Sequence, residues 1–204
     1  MGQMNYLAHL ILSPPDDLSR LGNIMADFLR DVDREQLPPL VQAGIIHHHS
    51  IDKFTDSHEI VRDLRKLFSS QRRRFSGVVL DVVFDHILIK HWGRFSDLDF
   101  DQFVEDSYGA LSRQHALMPE RMQMVTAWMI KRDWVRSYRE LTGIERALDG
   151  LASRLKMKHG FHGSIEEVEQ HYAQIESGFL VFFPELKYYV ESLLGDDGAK
   201  YLDQ

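Results

Sequence analysis

GVVLDVVFDHILIKHW, residues 77–92, is the stretch that decides the fold. It is apolar on nearly every side. Its β-branched valines make a strand over 78–84 the rival reading, but a central helix enclosed by other helices accounts for the whole run. Asp81, Asp85 and His86 interrupt the apolar surface. Asp81 and Asp85 are four apart and share a helix face, with His86 one position round. Burying an unpaired carboxylate costs several kcal/mol, so this helix demands a compensating base, a set of hydrogen-bond donors or a cation.

The flanking segments carry the same helical period. SRLGNIMADFLRDV (19–32) places Leu21, Ile24, Met25, Phe28 and Leu29 on one side. The run LPPLVQAGIIHHHSIDKFTD begins after a proline pair, which suits a helix start. SHEIVRDLRKLFSS spaces Ile60, Leu64 and Leu67 by four and three, with Ser57 as its expected cap. Further helices are expected over 99–117, 119–140, 142–156 and 164–194, the last broken or restarted at Pro184. No long linker, low-complexity stretch or internal repeat divides the chain. The expectation is a single all-α domain over residues 1–204, a bundle of seven or eight helices.

Composition narrows the function classes. The chain has 204 residues, a formal net charge of -7 and no cysteine. The acidic balance argues against non-specific nucleic-acid binding, which needs excess Lys and Arg. Without thiolates, any metal must be held by His, Asp, Glu and water. The amino-terminal MGQMNYLAHLILSPP lacks a basic leader and carries His9 in its apolar part, so no signal peptide is expected. Residues 1–3 read as a cloning remnant before Met4. No run is long and apolar enough for a spanning helix, so neither a membrane nor a nucleic-acid partner is expected, and the cytoplasm is the expected location. Nucleophile elbows, phosphate-binding glycine loops, dinucleotide fingerprints, zincin motifs and EF-hand loops are all missing.

What remains is a pattern of imidazoles and carboxylates. In GIIHHHSIDKFTDSHEI (44–60), His48, Asp52 and Asp56 follow one another at steps of four and line one helix face. Asp27 sits among Met25, Ala26, Phe28 and Leu29, with Asn23 four residues before it. His9 lies within NYLAHLILS, where Asn5 is placed to orient it. Three helices thus present Asp or His from apolar surroundings. Such donors suit Mn²⁺, Fe²⁺ or Zn²⁺, and a cation held this way serves phosphoester hydrolysis.

The motif blocks as a set resemble the acyl carrier protein phosphodiesterases: NYLAHL at 5–10, GNIMADF at 22–28, HHSID and TD at 48–52 and 55–56, and LDVVFDHILIKHW at 80–92. The resemblance implies a helical fold similar to HD-type metal phosphohydrolases. It implies removal of the 4′-phosphopantetheine arm from the serine of holo acyl carrier protein, with Mn²⁺ as cofactor and Mg²⁺ or Fe²⁺ as alternatives. Carried over residue by residue, Asp27, His48, Asp52, Asp85 and His86 make the metal centre. His9, Asn23 and His49 support it. Asp56 or Asp81 takes the proton of the attacking water, and His86 or His91 serves the leaving serine. The family often reads His-Arg-x-Ile-Asp where this chain has His49, so a guanidinium must come from Arg30 or Arg62, or His49 must serve when protonated. The carrier is small and strongly acidic, whereas this chain is itself acidic; a local basic patch is therefore expected. VRDLRKLFSSQRRRFSG supplies Arg62, Arg65, Lys66, Arg72, Arg73 and Arg74, and Lys131, Arg132, Arg136 and Arg139 form a second basic face. The rival readings are a phosphohydrolase acting on nucleotides or another small phosphoester, and a non-enzymatic helical module. The aromatic tail GFLVFFPELKYYVESLL (178–194) is expected in the core, with a dimer face or an arm-binding wall as alternatives.

Overall fold

A computed structural model describes residues 6–154 and 163–201; Asn5 and the suggested remnant at 1–3 lie outside the described residues. Helices account for all the regular structure there: α1 Tyr6–Leu12, α2 Asp17–Met25, α3 Pro39–Ser57, α4 Glu59–Lys66, α5 Ser76–Lys90, α6 Trp92–Phe95, α7 Phe100–Arg113, α8 Glu120–Lys131, α9 Trp134–Ser137, α10 Leu141–Arg154 and α11 Ser164–Tyr201. The all-α expectation holds. The helices are more numerous than seven or eight because one-turn pieces such as α6 and α9 have too few residues to show a period.

The opening stretch is helix α5, not a strand. It is buried from Val79 through Leu88 and is packed by α1, α4, α10 and α11, so it has no face to give to solvent. Asp85 has no exposure at all, and its two oxygens accept the backbone N–H groups of Leu7 (3.0 Å) and Ala8 (2.9 Å). A side chain of the central helix therefore satisfies amides at the start of α1, which no intrahelical acceptor can reach. Burial pushes the Asp85 carboxyl up to about 8, against the downward pull of those two amides.

Helices α2 and α3 cross with their backbones in close approach. A Cβ on Gly22 would stand 2.1 Å from the Val41 carbonyl oxygen, and one on Gly44 would stand 2.4 Å from that of Ser19. Only glycine lets the two backbones meet this closely. The crossing sets Asn23 and Asp27 beside the middle of α3.

Three local expectations are corrected. The helix read through residue 32 leaves α geometry at Met25, tightens to a 3-10 turn over Ala26–Phe28, and turns away at Asp31, whose φ is 62°. Ser57 does not cap α4: it is the last residue of α3, where its hydroxyl donates to the Phe54 carbonyl, and His58 holds the cap position without a side-chain bond. Pro184 neither ends nor starts a helix, since α11 passes through it. The proline faces solvent, while Phe179, Phe182, Phe183, Leu186 and Val190 on the opposite side are buried, and that packing outweighs the lost N–H. The aromatic tail is thus core, with Val181 and Tyr188 left outside. Among the described residues, no helix is long and apolar enough to cross a membrane.

Candidate metal centre

The site forms where α1 and the crossed pair α2–α3 meet. His9 and His48 stack face to face, with ring centroids 4.1 Å apart and planes 17° from parallel. Both direct Nε2 toward the Asp52 carboxylate, at 3.3 Å from Oδ1 for His9 and 3.1 Å from Oδ2 for His48. Asp27, just beyond the end of α2, brings Oδ1 to 3.8 Å from His48 Nε2. His9 and His48 are buried, and Asp52 closes the group toward solvent. The step of four between His48 and Asp52 is the helical feature that stacks these two donors on one face.

Asn23 sets the tautomer of His9. Its Nδ2 donates to the His9 carbonyl oxygen (3.1 Å) and to Ser13 Oγ (2.8 Å), and a carbonyl can only accept. The amide oxygen must therefore face the ring, at 2.8 Å from Nδ1. Nδ1 carries the proton, and the Nε2 lone pair is left pointing at Asp52. His9 Nε2 and Asp52 Oδ1 are buried and, despite lying 3.3 Å apart, are not aligned into a hydrogen bond. Two buried polar atoms aimed at one point without a bond between them are donors that a cation would satisfy. Two donors each about 2.1 Å from one ion stand roughly 3 Å apart, which is the spacing seen here. His9, His48 and Asp52 fit a metal ion.

The electrostatics agree. Burial and the neighbouring His48 charge push His9 down to about 4, so its lone pair is available at neutral pH. Burial raises Asp52, but the two imidazoles outweigh it and hold the carboxyl well below the usual carboxylate range. Burial lowers His48, yet Asp52 and Asp27 leave it raised overall.

Asp81 lies further inside on α5. Burial, and then the negative charge of Asp52, push its carboxyl well above the usual range, while Arg65 pulls the other way. Its Oδ2 is buried without a partner. Arg65 pairs with the exposed Asp56, and its guanidinium also lies against Gly77 at the start of α5. His49 is exposed, edge-on to His48 at 5.6 Å.

Other expected site residues stand apart. Asp85 and His86 are neighbours in sequence and so point about 100° apart around a helix. Both oxygens of Asp85 are taken by α1. His86 faces another side of the helix, with Nδ1 at 2.8 Å from the Tyr138 carbonyl and Nε2 at 3.0 Å from the Tyr172 hydroxyl. His91 joins Lys90 on Glu176, each at 2.7 Å. Sequence reasoning gave His9 a supporting place, whereas the structure makes it one of the three converging donors. The only hint was an imidazole at the centre of an apolar helix.

The basic residues after α3 are partly neutralised. Arg72 pairs with Glu167 at 2.9 Å and Lys66 with Asp63 at 2.6 Å, Arg73 donates to the carbonyls of Lys66 and Phe68, and Arg74 lies over Phe75. Arg62 is exposed. On the second face, Arg136 and Arg139 are tied to Asp101. Arg30, considered as a phosphate ligand, is almost fully exposed beside Asp31.

Replacing Asn23 with leucine is expected to free His9 Nδ1 and scramble its tautomer. Affinity for a divalent ion, read by calorimetry, should fall roughly 10–100-fold with the helical content unchanged; an unaltered affinity would remove Asn23 from the site.

The sequence profile of the acyl carrier protein phosphodiesterases matches residues 4–186. Relatives bearing that name include a Yersinia pestis protein, 35% identical over 90% of this chain and 95% of its own length. One from Serratia proteamaculans is 36% identical over the same shares, and one from Escherichia coli O157:H7 is 34% identical, again over 90% and 95%. No solved structure matches. With the profile and these relatives spanning nearly the whole chain, the protein belongs to the acyl carrier protein phosphodiesterase family.

Proposed function

We propose that the chain hydrolyses the phosphodiester joining 4′-phosphopantetheine to the serine of holo acyl carrier protein, giving apo carrier and the free arm. One observation carries this reading: His9, His48 and Asp52, drawn from the blocks that mark the family, converge on a single point, with Asn23 behind His9 and Asp27 beside His48. Mn²⁺ is the ion of this reading, with Mg²⁺ or Fe²⁺ as alternatives; two imidazoles and carboxylates without thiolate suit that class. When bound, such an ion supplies Lewis acidity at a phosphoryl oxygen and makes water a stronger nucleophile.

The chain's own residues do the rest. His9, His48 and Asp52 hold the ion with Asp27 beside them, and Asn23 keeps the His9 lone pair directed inward. Burial and the negative charge of Asp52 push the Asp81 carboxyl well above the usual range, which favours its protonated form and suits an acid better than the base that its carboxylate suggested in the sequence. Arg65, held by Asp56, brings positive charge next to Asp81 and fills the guanidinium role that His49 leaves open. His86 and His91 take no part. The cytoplasm is the location that goes with this reading.

The test is mass spectrometry of holo carrier incubated with the purified protein and Mn²⁺, with nucleotides offered in parallel. Loss of the arm with Mn²⁺, and its retention with a chelator, is expected. An intact holo carrier in the presence of Mn²⁺, with nucleotides cleaved instead, would overturn the reading.

A further inference from the structure

The scissile bond of the proposed reaction is made to a serine of the carrier, not to the far end of a flexible arm. The body of the carrier must therefore come up to the rim of the metal centre, and its docking face must adjoin that rim. Helix α8 adjoins it. Arg121, on its first turn, lies 5.9 Å from the ring centroid of Phe28, which follows Asp27 directly. From Arg121 the outer face of α8 continues through Met124 and Trp128 to Lys131 and Arg132, at steps of three and four that make one stripe about 16 Å long.

This stripe is unusual on a chain of net charge -7. Met124 is 56% exposed and Trp128 is 44% exposed. Trp128 is flanked by Lys131 at 5.6 Å and Arg132 at 4.7 Å from its ring. Beside it a groove of about 320 Å³ runs between α8 and the end of α7, lined by Leu111, His115, Ala127 and Ile130. Among the described residues, Arg121, Lys131 and Arg132 have no carboxylate partner within ion-pair distance, in contrast to Arg65, Lys66 and Arg72. Exposed aromatic and methionine side chains rimmed by unpaired cations match an acidic surface with apolar side chains at its centre.

We infer that the outer face of α8, centred on Met124 and Trp128 and rimmed by Arg121, Lys131 and Arg132, is the docking surface for the acidic carrier protein. The proposal rests on the reaction given above and moves the main docking role away from the Arg72–Arg74 turn. The carrier's negative surface meets the three cations, Trp128 seats its apolar centre, and the serine is set beside Asp27.

The test separates docking from hydrolysis. Carrier binding is followed by calorimetry with holo carrier, and turnover with holo carrier and with a phosphopantetheinyl-serine small molecule that needs no docking. R121E/K131E/R132E and, separately, W128A should each raise Kd and KM for the carrier about tenfold or more. The kcat and the small-molecule rate should stay unchanged. R72E/R73E/R74E should shift Kd less. Circular dichroism checks folding, and W128A keeps the test open should the triple reversal fail to fold. Carrier that binds α8 without being cleaved would leave the surface standing and sink the proposed reaction. Unchanged carrier affinity in the α8 variants, no carrier binding at all, or a stripe that instead takes anionic vesicles or a second copy of the chain would each overturn the docking surface.

Discussion

Replacing Asp52 with alanine is expected to abolish divalent-ion binding and to lower hydrolysis of holo carrier by roughly a thousandfold or more. Asp52 offers one oxygen to each of the two stacked imidazoles, and it is the only carboxylate within 3.3 Å of both, among the described residues. Without it, His9 and His48 face each other across 4.1 Å with nothing between them to accept a cation's charge. The loss should appear in kcat and in the metal titration together. A D52A enzyme that turns over normally, or that binds Mn²⁺ as tightly as before, would end the assignment of this cluster as the active centre. Global stability is a poor guide here, because removing the carboxylate also relieves its own burial.

Replacing Gly44 with alanine is expected to destabilise the fold by about 3 kcal/mol or more, a shift in Tm of roughly 10 °C in a chain of this size. The added methyl would lie 2.4 Å from the Ser19 carbonyl oxygen and 2.9 Å from the Asn23 amide nitrogen, both backbone atoms that no rotamer change can move. The helices must separate, and separation draws Asn23 and Asp27 away from His48. Weaker ion binding should therefore accompany the lower Tm. A melt that coincides with wild type would mean that the close crossing of α2 and α3 is not needed.

The sequence was most legible where one helix carried the whole pattern. The step from His48 to Asp52 needs only helical geometry, and Asp27 beside its apolar neighbours already pointed inward. The all-round apolar run around Asp81 and Asp85 read as a central helix, with a strand over 78–84 as its rival, and the structure makes it α5. Legibility ended where a contact joins separate helices. His9 stacks on His48 only because α1 docks across α3, and nothing in NYLAHL states that. Asp81 and Asp85 look equivalent at a spacing of four, but one is left with an unpartnered oxygen and the other meets two amides, a difference set by what lies opposite each on α5. The pairing of Arg72 with Glu167 joins residues far apart in the chain, so a cluster of arginines that reads as a free patch is partly internal. The backbone overlap at Gly22 and Gly44 shows only once the crossing is known.

The carboxylate of Asp85 fastens a segment that leaves the ribosome long before it. Residues 6–12 have no acceptor for their leading amides until the chain has been made out to the middle of α5, more than seventy positions later. His9 travels with that segment. During synthesis the start of α1 therefore stays unfastened until α5 has emerged, so a cation site built on His9 would be completed after that helix rather than act as a nucleus for the fold. A nascent chain halted before residue 85 would carry His9, Asn23, His48 and Asp52 but lack the carboxylate that fastens the start of α1.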